Sequence, residues 1–112
     1  MLKDLEANEH KLDIRKETLS RYEKLLLSFE TLKVRVKAEE DATNIFELAN
    51  QRFKNADLDL EDLLRASESY NGAVENRLIA ETDIKLAKLE LEEMIGVKWE
   101  VAKRYEEKMK GN

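Results

Sequence analysis

The chain has 112 residues, about the size of one domain, and 40% of them are charged while only 6% are aromatic. It contains no proline, no cysteine and three glycines, so little interrupts a helix, and disulfides, thiolate catalysis and cysteine-bound zinc are excluded. The net charge of −5 comes from acidic and basic residues mixed along the whole length. This mixture argues against nucleic-acid binding, which requires a concentrated basic stripe. We predict an all-α fold.

The first predicted helix runs from Leu2 to about Phe53. Leucines recur in it at every seventh position, which is the spacing of a coiled-coil seam, and a second apolar row follows at the same interval. The first row consists of Leu5, Leu12, Leu19 and Leu26, and the second of Tyr22, Phe29 and Val36. No apolar run approaches the roughly 20 residues of a membrane-spanning helix. One face of this helix should therefore pack against a partner.

A bend is expected at residues 54–59. Asn55 can adopt the left-handed conformation that ends a helix, and Asp57 or Asp59 can cap the next helix through a side-chain oxygen. If Asp59 is the N-cap, Asp62 falls in the first turn, where the helix dipole favours carboxylates. These residues predict a hairpin turn.

The second predicted helix runs to about Ile95, with Gly96 as a left-handed stop. Both helices carry alanines at seven-residue steps, and methyl side chains let helix backbones approach closely. The predicted close-packing seam consists of Ala42, Ala49, Ala66, Ala73, Ala80 and Ala87. Residues 1–97 should therefore form a long antiparallel helical hairpin, or coiled coil. Because alanines bury little apolar area and leucines lie on more than one face, we also expect lateral assembly with further helices.

Residues 98–112 are predicted to form a short amphipathic C-terminal segment. Its apolar residues recur at helical spacing, and it should fold back or dock on a partner. These residues are Trp99, Ala102, Tyr105 and Met109.

Arg77 is the single polar interruption of an apolar row in the second helix. A cation at such a position either extends outward or pairs with a carboxylate such as Glu81, four residues on. Two further interpretations are an arginine that faces the water-filled interior of a tube of helices and an arginine that sets the helix register.

Between residues 38 and 96 the elements follow a particular order. A long helix ends in an aromatic residue, followed by a short turn, a D-x-L-like start, a row of heptad alanines and a closing apolar residue and glycine. The residues outside the alanine row are Phe53, Asn55, Ala56, Asp62, Leu64, Met94 and Gly96. In this order and spacing the segment resembles the TolC-like outer membrane efflux proteins.

The resemblance implies that the hairpin belongs to the periplasmic α-barrel of a trimeric exit duct. The chain would then self-associate into a helical barrel, wall a conduit for export, and dock a periplasmic adaptor protein that links it to an inner-membrane pump. The contact and gating residues at its turn would be Phe53, Asn55, Ala56, Asp57, Asp59, Leu60 and Asp62. The turn glycine usual in the family is Ala56 here, and Leu58 stands where drug-efflux members can carry a basic residue.

The same resemblance implies a location at the cell outer membrane and periplasm, as part of a longer efflux protein or as a short relative that kept only the hairpin. Contact with the membrane would be made only by parts that these residues do not include. The alternative is a cytoplasmic coiled-coil scaffold or adaptor module that binds partner helices through the leucine face.

We expect no catalytic, cofactor or metal site, and no enzyme. His10 is the only histidine, and one imidazole beside loose carboxylates does not supply the ligands of a zinc site. The acidic run from Asp57 to Asp62 lacks the glycine that a calcium loop requires at its sixth position. Helix capping or adaptor contact is the preferred interpretation of this run. No glycine-rich phosphate loop or nucleophile elbow is present.

Overall fold

The computed structural model has two helices, α1 (Leu2–Lys54) and α2 (Leu60–Lys110), joined by residues 55–59. It describes the backbone of residues 2–110 and the side chains of residues 8–96 and of four residues beyond them, Lys103, Arg104, Glu107 and Lys108. No strand occurs within this described backbone. The predicted all-α fold and the helical hairpin are confirmed.

The predicted end of the second helix at Gly96 is wrong. The helix continues through Gly96 to Lys110, and no described glycine has a positive φ. A glycine inside a helix costs only about 1 kcal/mol relative to alanine, and the chain contains no proline to stop the helix. The predictions for Leu5 and for the apolar side chains of residues 98–112 lie outside the described side chains.

The chain divides into two units. The terminal unit comprises residues 1–27 and 85–112, and the turn unit comprises residues 28–84. Each unit contains a segment of α1 and a segment of α2, and the two segments pack against each other.

In the terminal unit the helix segments are antiparallel. The Thr18 hydroxyl lies 3.8 Å from the sulfur of Met94, and Lys24 Nζ lies 3.1 Å from Glu90 Oε2. A later residue on α1 therefore pairs with an earlier residue on α2. Ala87 is the most buried residue of this unit's described part, at 2% exposure.

In the turn unit the segments are also antiparallel, and two contacts define their register. The rings of Phe46 and Tyr70 stack with centroids 5.5 Å apart and planes at 11°. The Arg77 side chain donates a hydrogen bond to Glu39. A step of seven residues backward along α1, from Phe46 to Glu39, thus corresponds to a step of seven residues forward along α2.

The inward positions of the turn unit recur at alternating steps of three and four residues, which is the period of a coiled-coil seam. On α2 these positions are all half-buried or buried, and on α1 the same holds from residue 39 to residue 49. They are Glu39, Ala42, Phe46 and Ala49 on α1, and Leu63, Ala66, Tyr70, Ala73, Arg77, Ala80 and Ile84 on α2.

Candidate functional site

The turn between the helices is closed by backbone hydrogen bonds. The N–H of Ala56 donates to the carbonyl of Phe53 over 3.1 Å, and the N–H of Asp57 donates to the carbonyl of Arg52 over 2.8 Å. This pair of bonds is a Schellman motif, which requires a left-handed residue directly after the helix cap. Ala56 occupies that position with φ of 55°. The prediction that Asn55 would be the left-handed residue is therefore wrong. Because α1 continues to Lys54, Asn55 is the helix cap and the left-handed position after it falls on Ala56.

Arg52 ties the last turn of α1 to the loop. Its Nη2 donates to the carbonyl oxygen of Asp57 over 3.3 Å, and its Nε lies 3.4 Å from Asp57 Oδ2. Both side chains are about half or more exposed. The contact closes the loop at the point where the backbone turns, and it was not anticipated from the sequence.

The start of α2 follows the predicted pattern. The N–H of Leu63 donates to the carbonyl of Asp59 over 3.1 Å, which places Asp59 at the N-cap position directly before Leu60. Glu61 and Asp62 lie in the first turn, where their carboxylates meet the positive end of the helix dipole.

The seven residues that the resemblance assigns to the turn surface are all exposed. Two of them are large apolar residues, Phe53 at 40% and Leu60 at 57% exposure. The others are Asn55, Ala56, Asp57, Asp59 and Asp62. We call residues 53–62 the tip. It presents apolar side chains beside four carboxylates, a combination suited to a partner with apolar and basic side chains.

The six alanines of the predicted seam face the opposite helix to different extents. Ala49, Ala80 and Ala87 are buried, with exposures of 7%, 3% and 2%. The other three, Ala42, Ala66 and Ala73, are half-buried. The small side chains are therefore turned away from bulk water in both units.

An ion-pair cluster lies in the middle of the turn unit's seam. Arg77 on α2 donates hydrogen bonds to Glu39 on α1 and, over 2.9 Å, to Glu81 on its own helix. These hydrogen bonds, the one to Glu39 first, raise the pKa of Arg77 above its usual value. The Arg77 and Glu39 side chains are 26% and 21% exposed, so most of their surface is covered by the helices. The predicted pair with Glu81 is present, and the pair across the helices is additional.

The described leucines of the seven-residue row on α1 do not face α2. Leu12, Leu19 and Leu26 are 54%, 57% and 47% exposed, and Tyr22 beside them is 49% exposed. We call these four residues of the terminal unit the outer face. The positions of this unit that contact α2 were not identified from the sequence, because they include polar residues and form a weaker pattern. Thr18 and Arg21 reach Met94 and Glu90 on α2, and the half-buried Ile14 and Leu25 continue their spacing of three and four residues.

His10 is exposed, and the described residues contain no group of three or more histidine, cysteine, aspartate or glutamate side chains arranged to hold a metal ion. Among the same residues, no helical stretch is apolar and long enough to cross a lipid bilayer.

Comparison with known proteins adds no identification, since no family model, curated protein or solved structure matches the chain. The resemblance to the TolC-like proteins therefore rests on the residue pattern alone and stays a prediction.

Proposed function

We propose that the chain is a periplasmic helical hairpin of a TolC-like outer membrane efflux duct, in which it walls the conduit and docks an adaptor protein through the tip. The observation that carries the proposal is the presence of two packing faces on α1. One face contacts α2, and the outer face exposes large apolar side chains at seven-residue steps. A helix in the wall of a tube requires such a pair of faces, because it has a neighbour on each side.

The exposed surface of the chain supports assembly with further helices. It amounts to 9552 Å². A folded monomer of 13.1 kDa is expected to expose about 6,400 Å². The excess, about 3,000 Å², is within the range of roughly 2,000–5,000 Å² that permanent protein interfaces bury. Self-association into a helical barrel would cover surface of this size.

The chemistry of the tip supports docking of a second protein. Phe53 and Leu60 supply apolar contact area, while Asp57 and Asp59 supply exposed carboxylates. Exposed carboxylates favour partners that carry the opposite charge. Apolar anchor residues usually supply most of the affinity of an interface. An adaptor hairpin with apolar and basic side chains at its end would fit this surface.

The proposal is tested by transplantation. Residues 38–96 replace the corresponding hairpin of a well-characterised TolC-like duct, and the chimera is expressed in a strain that lacks its own duct. We expect the chimera to restore resistance to exported drugs. The variant D57N/D59N should lower that resistance, because it removes two charges from the tip while asparagine can still cap the helix.

The variant E68Q/E75Q is the matched control. It makes the same change of charge at two exposed positions of α2 away from the tip, and it should keep the resistance. A chimera that reaches the outer membrane as a trimer without restoring resistance would contradict the proposal. If the chain alone also forms one tight oligomer of fixed size in solution, the cytoplasmic scaffold becomes the better interpretation.

A further inference from the structure

The alanine seam of the turn unit cannot by itself select one helix register. Ala66, Ala73 and Ala80 recur every seven residues on α2, and Ala42 and Ala49 do so on α1. If α2 is displaced by seven residues along α1, alanines of the two rows again lie opposite each other wherever the rows overlap. Packing of methyl groups therefore stabilises the native and the displaced registers almost equally.

The turn is also a weak determinant of register. A displacement of the helices by seven residues moves the centre of the bend by only three or four residues along the chain. The bend that is present requires a left-handed residue at position 56, and the alanine there adopts this conformation less readily than glycine would. A bend at a neighbouring position is thus not strongly disfavoured.

The stack of Phe46 on Tyr70 and the ion-pair cluster both distinguish the registers, and the ion pair does so through charge. In the native register Glu39 lies opposite Arg77. In the two displaced registers Glu39 would lie opposite Tyr70 or Ile84, and Arg77 would lie opposite Leu32 or Phe46. Arg77 would keep Glu81 on its own helix. Glu39 would be held in the seam without its partner on the other helix, and a partly buried charge without a partner is disfavoured.

We propose that the ion pair between Glu39 and Arg77 sets the register of the hairpin. Glu81 holds the guanidinium in place from its own helix. A single polar contact in a coiled-coil seam is a well-established way to specify register. This role concerns the alignment of the helices and does not depend on the proposed export function.

Disulfide trapping tests the proposal, since the chain has no cysteine of its own. Position 42 lies between the two contacts that define the register, and so does position 73 on the opposite helix. The pair A42C/A73C should therefore form a disulfide in the native register, and the pairs A42C/A66C and A42C/A80C should do so only after displacement. A seven-residue displacement moves the sulfurs by about 10 Å along the axis, which is too far for one pair to report two registers.

The three cysteine pairs are placed in the otherwise unchanged chain and in the variant E39L/R77L. The disulfide yield within single chains is measured by mass spectrometry at low protein concentration. In the unchanged chain only A42C/A73C should react to a large extent. In E39L/R77L we expect its yield to fall at least twofold and one displaced pair to rise at least fivefold, with the helix content unchanged.

Two further variants complete the experiment. K37L/D41L removes an exposed ion pair that lies within α1 alone, with 3.2 Å between its charged atoms, and should leave all three yields unchanged. E39R/R77E/E81Q restores opposite charges across the helices and removes the like-charge pair that the new carboxylate at position 77 would form with Glu81 on α2. It should restore the native yields, which keeps the proposal testable if E39L/R77L fails to fold. Unchanged yields in a folded E39L/R77L, or displaced registers in E39R/R77E/E81Q, would overturn the proposal.

Discussion

Replacing Ala56 with glycine should stabilise the hairpin. Ala56 has a φ of 55°, and the Schellman bonds around it leave this residue no other conformation. The left-handed region costs a residue with a Cβ about 1–2 kcal/mol. Glycine removes that cost but loses about 0.4–1 kcal/mol through the greater freedom of the unfolded chain. The net gain in unfolding free energy is therefore about 1 kcal/mol.

The assay is denaturation by heat and by urea, followed by far-UV circular dichroism at equal protein concentrations, because association also shifts apparent stability. A56G should raise the melting temperature by about 4 °C. The matched control is A38G, which makes the same substitution at an exposed position inside α1. There glycine should destabilise the chain by about 1 kcal/mol.

The opposite signs of these two substitutions make the comparison decisive. An effect of A56G equal to that of A38G would mean that residue 56 is helical or extended in solution. The bend would then lie elsewhere, and the assignment of the tip residues would fail with it.

The remaining predictions concern the seam, the loop and the outer face. Leucine at both Ala73 and Ala80 should lower the unfolding free energy by about 1–3 kcal/mol per site, because it overfills a close contact; an unchanged urea midpoint would argue against close packing there. R52A should lower the unfolding free energy by at most about 1 kcal/mol, because the bonds of Arg52 to the loop are exposed. This loss should be smaller at high salt, which screens exposed charges. L19Q/L26Q should reduce the average mass in sedimentation equilibrium, and an undiminished mass would exclude the outer face from self-association.

The location of the bend could be predicted because asparagine and aspartate cluster between two regular apolar patterns. The identity of the left-handed residue could not. Asparagine tolerates positive φ better than alanine does, but the end of the hydrogen-bond ladder of α1 decides which residue follows the cap. Helix ends are set by such cooperative bonding, which a local preference does not reveal.

The contacts across the hairpin were predicted unevenly. The alanines were identified because their spacing is regular and small residues have few other roles in a helix. The stacking of Phe46 on Tyr70 was not identified, although both residues are about equally distant from the bend. A comparison of residues equidistant from the turn would have paired them, and it would also have paired Glu39 with Arg77.

Most large apolar side chains of the described residues lie outside the seam between the helices. Among the described residues, the buried ones are three alanines and Ile84, whereas 18 large apolar residues remain exposed. A buried methyl group contributes about 0.8 kcal/mol, and covering a half-exposed leucine contributes about 1 kcal/mol. Covering the exposed apolar side chains would therefore stabilise the folded chain more than the alanine contacts of the seam do. In the proposed assembly, the ion pair of Glu39 and Arg77 would align the helices before neighbouring helices cover their apolar faces.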